Sequence, residues 1–255
     1  MKNGNSSKPS WADTRRSRHR LDPARVIATV ETLALRIRER FPAATLIEVC
    51  EELRHVSVAA QRRASWIARP ILGVRFAAAL AITLLIIGLT GTISQLEAST
   101  RPFDLFLFVN VLEAGINNLV LLAVGAFFLV TIETRIKRRR SLDAIHELRS
   151  LAHIIDLHQL TKDPDRLLLR GKSTKSSPNT DMDLFEMSRY LDYCCEMLSL
   201  LGKIAAIYGL HWRDTVSVQA VSDVERLTTG LSQKIFQKIM ILHGSLDDEK
   251  PLKAS

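Results

Sequence analysis

The chain has 255 residues, with 35 Lys and Arg against 27 Asp and Glu and a formal net charge of +8. That length admits one or two domains, and 47% hydrophobic residues with 6% aromatics and 11 glycines suit long helices better than a β-sandwich. The positive balance invites a nucleic-acid reading, but the cations gather near the start of the chain and beside apolar runs, where they act as topology determinants and not as a groove-binding stripe.

Residues 1–21 read as a disordered basic tail: Lys2, Lys8, Arg15, Arg16, Arg18 and Arg20 stand against Asp13. Residues 22–70 read as N-terminal helices. Asp22 is placed to cap the first and Pro23 to occupy its first turn, and Val26, Val30, Leu33, Ile37 and Phe41 recur at three- and four-residue steps. Pro42 interrupts the pattern, and a second helical stretch leads to Trp66 and Pro70.

Residues 71–96 contain an uncharged run, "FAAALAITLLIIGLTGTISQL", framed by Arg75 and Glu97. About twenty apolar residues at 1.5 Å rise cross a hydrocarbon layer of roughly 30 Å, so this segment is expected to be transmembrane helix one. A second run, 114–134, is expected to be transmembrane helix two, with 97–113 a short external or interfacial loop; alternatively the stretch from Phe103 extends the second span. Arg54, Arg62, Arg63 and Arg69 precede the first span, and Arg135, Lys137, Arg138, Arg139 and Arg140 follow the second, while the connection is net acidic. The positive-inside rule therefore places both termini in the cytoplasm of a multi-pass membrane protein, with the bacterial inner membrane as the expected compartment. Polar groups inside such a span default to functional candidates. Glu113, Asn117 and Asn118 are the pore-lining or subunit-contact candidates; Glu113 and Asn117, four residues apart, share a helix face.

Residues 135–160 read as a cytoplasmic extension of the second span, because no Gly or Pro falls between Thr131 and Leu160. Leu142, Ile145, Leu148, Ala152, Ile155 and Leu160 mark its apolar face. His146 and His153 stand two turns apart, with Asp143 three residues before the first and Asp156 three after the second, a spacing that permits a proton switch or ligands to a metal shared between subunits. Two such histidines lie roughly 10 Å apart along the axis, too far to chelate one ion unaided, and the HExxH pattern is absent. These four residues are thus weak metal candidates, and a connector role for the helix is favoured.

Residues 161–180 form a Lys-, Ser- and Pro-rich linker. Its "GKST" at 171–174 is no P-loop, since Arg166 occupies the position of the required first glycine. Residues 181–243 are expected to be an antiparallel helical hairpin. Thr180 or Asp181 would cap its first helix, Leu184, Met187, Leu191, Cys194, Leu198, Leu201, Ala205 and Tyr208 would line it, and Gly209 would end it in left-handed geometry. After "HWR", Asp214 caps the partner helix, whose apolar positions are Val218, Val221, Val224, Thr228, Leu231, Ile235, Ile239 and Leu242. Residues 244–255 read as a frayed tail. Cys50, Cys194 and Cys195 form no CxxC pair and read as small apolar fillers in a reducing compartment.

The fold expected is an all-α membrane protein: a two-helix transmembrane hairpin with a cytoplasmic bundle built from N- and C-terminal segments, coiled-coil-like in its packing. No nucleophile elbow, dinucleotide fingerprint or kinase set is present. The function expected is a non-enzymatic scaffold, assembly or signalling component, without cofactor and without nucleic acid. Its partners would be the lipid bilayer, further copies of itself and a cytoplasmic protein. An oligomeric pore is the alternative, and a membrane-tethered metal-dependent enzyme built on His146 and His153 the second alternative.

Overall fold

The computed structural model describes residues 21–97, 105–164, 182–210 and 214–248, and its regular elements there are all helices. We number them α1 (Pro23–Arg40), α2 (Leu46–Ala68), α3 (Leu72–Glu97), α4 (Leu105–Leu160), α5 (Leu184–Gly209) and α6 (Thr215–Asp248). They fall into two compact units, one made of residues up to Ser65 together with those from Leu142 onward, the other Trp66–Ser141.

The first unit is a helical bundle. α1 starts where the sequence places it: the Asp22 carboxylate accepts from the Ala24 amide at 3.0 Å, with Pro23 in the first turn. Its buried face is Val26, Val30, Leu33, Ala34 and Ile37, followed by Phe41. Phe41 packs edge-on against Tyr190 and Tyr193 of α5, with ring centroids 5.7 and 6.1 Å away, and Arg36 forms a forked ion pair with Glu196 at 2.7 and 3.1 Å. Arg38 and Arg54 both bind Glu51, tying α1 to α2 across the intervening turn.

α5 is the central helix of this unit. The apolar positions expected from 187 onward are buried, and so are Tyr190, Tyr193, Met197, Leu200, Ile204 and Ile207 on its other sides. A helix buried round most of its circumference belongs in the middle of a bundle. The partner helix α6 approaches it closely at Gly202, where a Cβ would lie 3.1 Å from the Thr228 hydroxyl oxygen. That hydroxyl donates to the Glu225 carbonyl at 3.0 Å.

The second unit contrasts with the first. α3 and the N-terminal part of α4 are each long and apolar enough to cross a membrane, and no residue of their most apolar windows is buried. Leu80, Leu84, Ile86 and Ile87 on α3, and Leu119, Leu121, Val124, Phe127 and Phe128 on α4, face outward. The hydroxyls in these helices turn back on their own backbones. Thr83 donates to the Ala79 carbonyl at 2.9 Å, Thr90 to Ile86 at 2.9 Å, Thr131 to Phe127 at 2.7 Å and Thr134 to Val130 at 3.0 Å.

Several boundaries differ from the sequence expectation. Residues 105–113, for which the sequence left a loop and an extension of the second span both open, are helical and continuous with the second apolar run. The cap of α5 is Asp183, whose carboxylate accepts from the Glu186 amide while the Glu186 carboxylate accepts from the Asp183 amide; Thr180 and Asp181 lie outside the described residues. Gly209 closes α5 without left-handed geometry, since the capping residue is Leu210 in right-handed backbone. α6 continues to Asp248 through residues expected to fray. Leu160 is 59% exposed and Val218 42% exposed; Gln159 and Ser217 are buried beside them. The basic tail to Arg20, most of the 161–180 linker and "HWR" at 211–213 lie outside the described residues.

The close approach at Gly202 generates a stability prediction. Gly202→Val should destabilise the bundle by about 1–3 kcal/mol through overpacking against the pinned Thr228 hydroxyl. Thr228→Ala in the same chain should recover part of that loss. Thermal unfolding followed by circular dichroism measures both; strictly additive losses would contradict the contact.

Candidate functional site

The polar candidates of the second unit sit on α4. Glu113 and Asn117 are exposed and Asn118 half-buried, and none of the three has a hydrogen-bond partner among the described residues. With helix running from Leu105, Glu113 lies two turns inside α4 and not at its edge. Its carboxylate shares a face with the Asn117 amide, and the two present acceptors and donors outward, with no bond to another described residue.

On the extension of α4, His146, His153 and Asp143 are exposed, and neither histidine is bonded to either aspartate. Asp156 instead accepts from the Gln159 side chain at 2.7 Å. Among the described residues no group of three or more His, Cys, Asp or Glu side chains converges as metal ligands would. The four candidates are therefore not brought together within one chain.

What the α4 extension carries instead is a set of polar ties to its neighbours in the first unit. Glu147, the residue after His146, is ion-paired with Arg63 of α2. The Arg63 charge also acts on Tyr208, whose hydroxyl burial pushes up to about 12. His158 Nδ1 lies 3.3 Å from the Thr45 hydroxyl. The Lys238 ammonium of α6 donates to the Gln159 carbonyl at 3.2 Å, the Gln159 side-chain oxygen at 2.8 Å and the Lys162 carbonyl at 3.1 Å. A cation at the C-terminal end of a helix meets the negative end of the helix dipole. Burial holds the Lys238 ammonium below the usual lysine range.

A groove runs along the first unit beside α5. Two adjoining cavities of about 900 and 780 Å³ share Leu21, Cys195, Ser199 and Lys203; Asp22, Arg25 and Thr29 of α1 line one, and Thr229, Gln233 and Phe236 of α6 the other. Its chemistry is mild. The Cys195 thiol donates weakly to the Ser232 carbonyl at 3.7 Å and is pushed up to about 11 by burial, so it is no thiolate nucleophile, and Lys203 is turned onto Ser199 at 2.7 Å. Cys194 is fully buried, as a filler should be.

Sequence reasoning singled out His146 and His153 as site candidates and gave no such role to Lys238, Arg63 or His158, which make the contacts. Exposed and buried helical histidines carry the same local signal. Only the partner helix distinguishes them. No family model matches the chain, and no curated protein or solved structure matches it.

His158 makes the α4 ties pH-sensitive. Burial first, and then the Lys162 charge, lower its pKa below the ordinary histidine value, against an opposing pull from Glu48. The folded state thus prefers the neutral ring, and the unfolded chain takes up the proton first. Stability is fully present above about pH 6.5 and is lost as pH falls from there through the folded-state value. His158→Gln should flatten this part of the stability-versus-pH curve measured by denaturant unfolding between about pH 7.5 and 5; an unchanged slope would contradict the assignment.

Proposed function

We propose that this chain is an integral membrane protein of the bacterial inner membrane. α3 and the first part of α4 form its transmembrane hairpin, both termini lie in the cytoplasm, and the helical bundle there has a non-enzymatic scaffold, assembly or signalling role. The single observation that supports this most is α4: one helix of 56 residues that starts as an outward-facing apolar span and ends as a bundle helix tied to Arg63, Thr45 and Lys238. A continuous helix transmits a rotation or shift of one end to the other, which is the property a signalling or assembly component needs. The absence of converging ligands around His146 and His153 among the described residues favours this reading over the metal enzyme. The back-bonded threonines also support the membrane reading, because hydroxyls satisfied within their own helix are compatible with lipid.

The full chain should sediment with membranes, resist alkaline carbonate and require detergent for extraction. Leu84→Arg combined with Val124→Arg should make it extractable or abolish its accumulation, since each arginine at the centre of a span costs about 2.5–3.5 kcal/mol on insertion scales. A wild-type chain released by carbonate would contradict the proposal. The assembly role is checked by mass determination after purification in mild detergent: the expected result is a complex heavier than one 28.6 kDa chain, containing further copies or a co-purifying cytoplasmic protein.

A second reading, the oligomeric pore, is favoured by the position of Glu113 and Asn117 inside α4 without partners among the described residues. Polar groups in a span are expected to meet each other across a subunit contact or a water-filled path. Cation conductance in liposomes that falls markedly in Glu113→Gln would establish it; no conductance in the wild type would remove it.

A further inference from the structure

We propose that the cation-rich end of the second unit is a binding collar for anionic phospholipid headgroups, an inference that rests on the membrane reading above. Between Trp66 and Arg75 and between Thr131 and Ser141 there are seven cations and one carboxylate, Glu133. That carboxylate is already engaged. It binds the Lys137 ammonium at 2.8 Å and accepts from the Ile71 amide at 3.4 Å, in the turn that leads into α3. Lys137 is correspondingly buried, so this pair neutralises itself.

Arg140 is oriented by stacking, its guanidinium carbon 3.9 Å from the centre of the Trp66 ring, and that ring is half exposed. Tryptophan with one wet and one apolar side is the residue of the headgroup layer, and an arginine held over it presents its N–H groups at the same level. Arg69, Arg135 and Arg139 are exposed and have no carboxylate partner among the described residues. Arg135 and Arg139 stand four residues apart on one face of α4, a like-charged pair that repels unless an anion lies between or beside it.

The identity of the anion follows from what adjoins it. One turn and more before Arg135, on the same helix, Phe127, Phe128 and Val130 expose most of their side chains. A ligand that matches both surfaces has an anionic head for the arginines and acyl chains for the apolar helix. Arginine suits such a head because its planar fork binds phosphate oxygens in pairs. Free phosphate would use only the first surface, and a neutral phospholipid only the second.

The test uses the full chain in a mild non-ionic detergent, titrated with dioleoylphosphatidylglycerol or dioleoylphosphatidylcholine and read by native mass spectrometry. The glycerol lipid should bind well above the choline lipid. Arg135→Gln with Arg139→Gln should lose about 25-fold in glycerol-lipid affinity, taking roughly fivefold per cation removed near an anionic surface. Arg135→Lys with Arg139→Lys should retain most of the binding, and Arg149→Gln, an exposed arginine of the first unit, should retain all of it. If the glutamine pair does not fold by circular dichroism, the wild type supplies the test: raising the salt from about 0.1 to 1 M should release the glycerol lipid, because the Debye length falls from about 10 to 3 Å. Equal binding of the two lipids by a chain that needs detergent, or salt-insensitive binding, overturns the collar alone. A chain that stays monodisperse without detergent and binds neither lipid overturns the membrane reading beneath it.

Discussion

An apolar helix that exposes its side chains all round is stable only in surroundings as apolar as itself. Water penalises each outward-facing Leu, Ile and Phe by about 1.5–3 kcal/mol relative to burial, and α3 and α4 carry many of them, with no residue of their most apolar windows buried. Within such a segment the only polar groups tolerated cheaply are those closed on themselves. The threonines do this through their preceding carbonyls, and Glu133 does it through Lys137 and the Ile71 amide. On the reading proposed here, lipid supplies the missing partner, and the other features of the chain are arranged around that demand. Arginines stand where headgroups would be, and among the described residues nearly all of the buried apolar core lies in the first unit.

The first unit solves the opposite problem. α5 is buried on most sides, so it specifies the bundle through packing, with α1 held to it by the Phe41, Tyr190 and Tyr193 contacts and the Arg36–Glu196 fork. Half-exposed ion pairs of this kind add little stability. Their value is in direction: a forked pair fixes which residues of two helices sit opposite each other. The same holds for the α4 extension, where Glu147, His158 and Gln159 each meet a partner from a different segment. Lys238 matters most among these because one ammonium gathers three acceptors, the Gln159 carbonyl, the Gln159 side chain and the Lys162 carbonyl just past the end of α4, at a point where the Gln159 carbonyl also accepts from the Lys162 amide. A helix held at its end by such ties moves with its neighbours, which suits it to carry a displacement.

Much of this was legible in the sequence, and the reasons are physical. The Asp22-Pro23 start, the apolar face of α1 and the unbroken run from Thr131 to Leu160 are local signals that tertiary contacts did not need to alter. The Asp183–Glu186 capping box was equally local, and attention to the neighbouring Thr180 and Asp181 hid it. Other features were not legible. The all-round burial of α5 depends on how many helices surround it, and an amphipathic pattern reports only the most apolar face. The start of α4 at Leu105 was obscured because Glu113 and the two asparagines dilute the apolar run, although such residues are compatible with helix. The choice of Glu147 and His158 over His146 and His153 as contact residues is set by the position of α2, which no periodicity in α4 encodes.

The central claim is that α3 and α4 cross a bilayer as a hairpin with the bulk of the chain on one side. It is tested most directly by cysteine accessibility in intact bacterial spheroplasts, using a chain whose Cys50, Cys194 and Cys195 are replaced by alanine. Single cysteines are introduced at Ser99, which falls in the sequence between the two apolar helices, or at Ser150, on the α4 extension, and treated with a membrane-impermeant maleimide. A hairpin with cytoplasmic ends predicts that Ser99→Cys is labelled in intact spheroplasts and that Ser150→Cys is labelled only after the membrane is opened. Labelling of Ser150→Cys in intact spheroplasts, or equal protection of both positions until lysis, would contradict it.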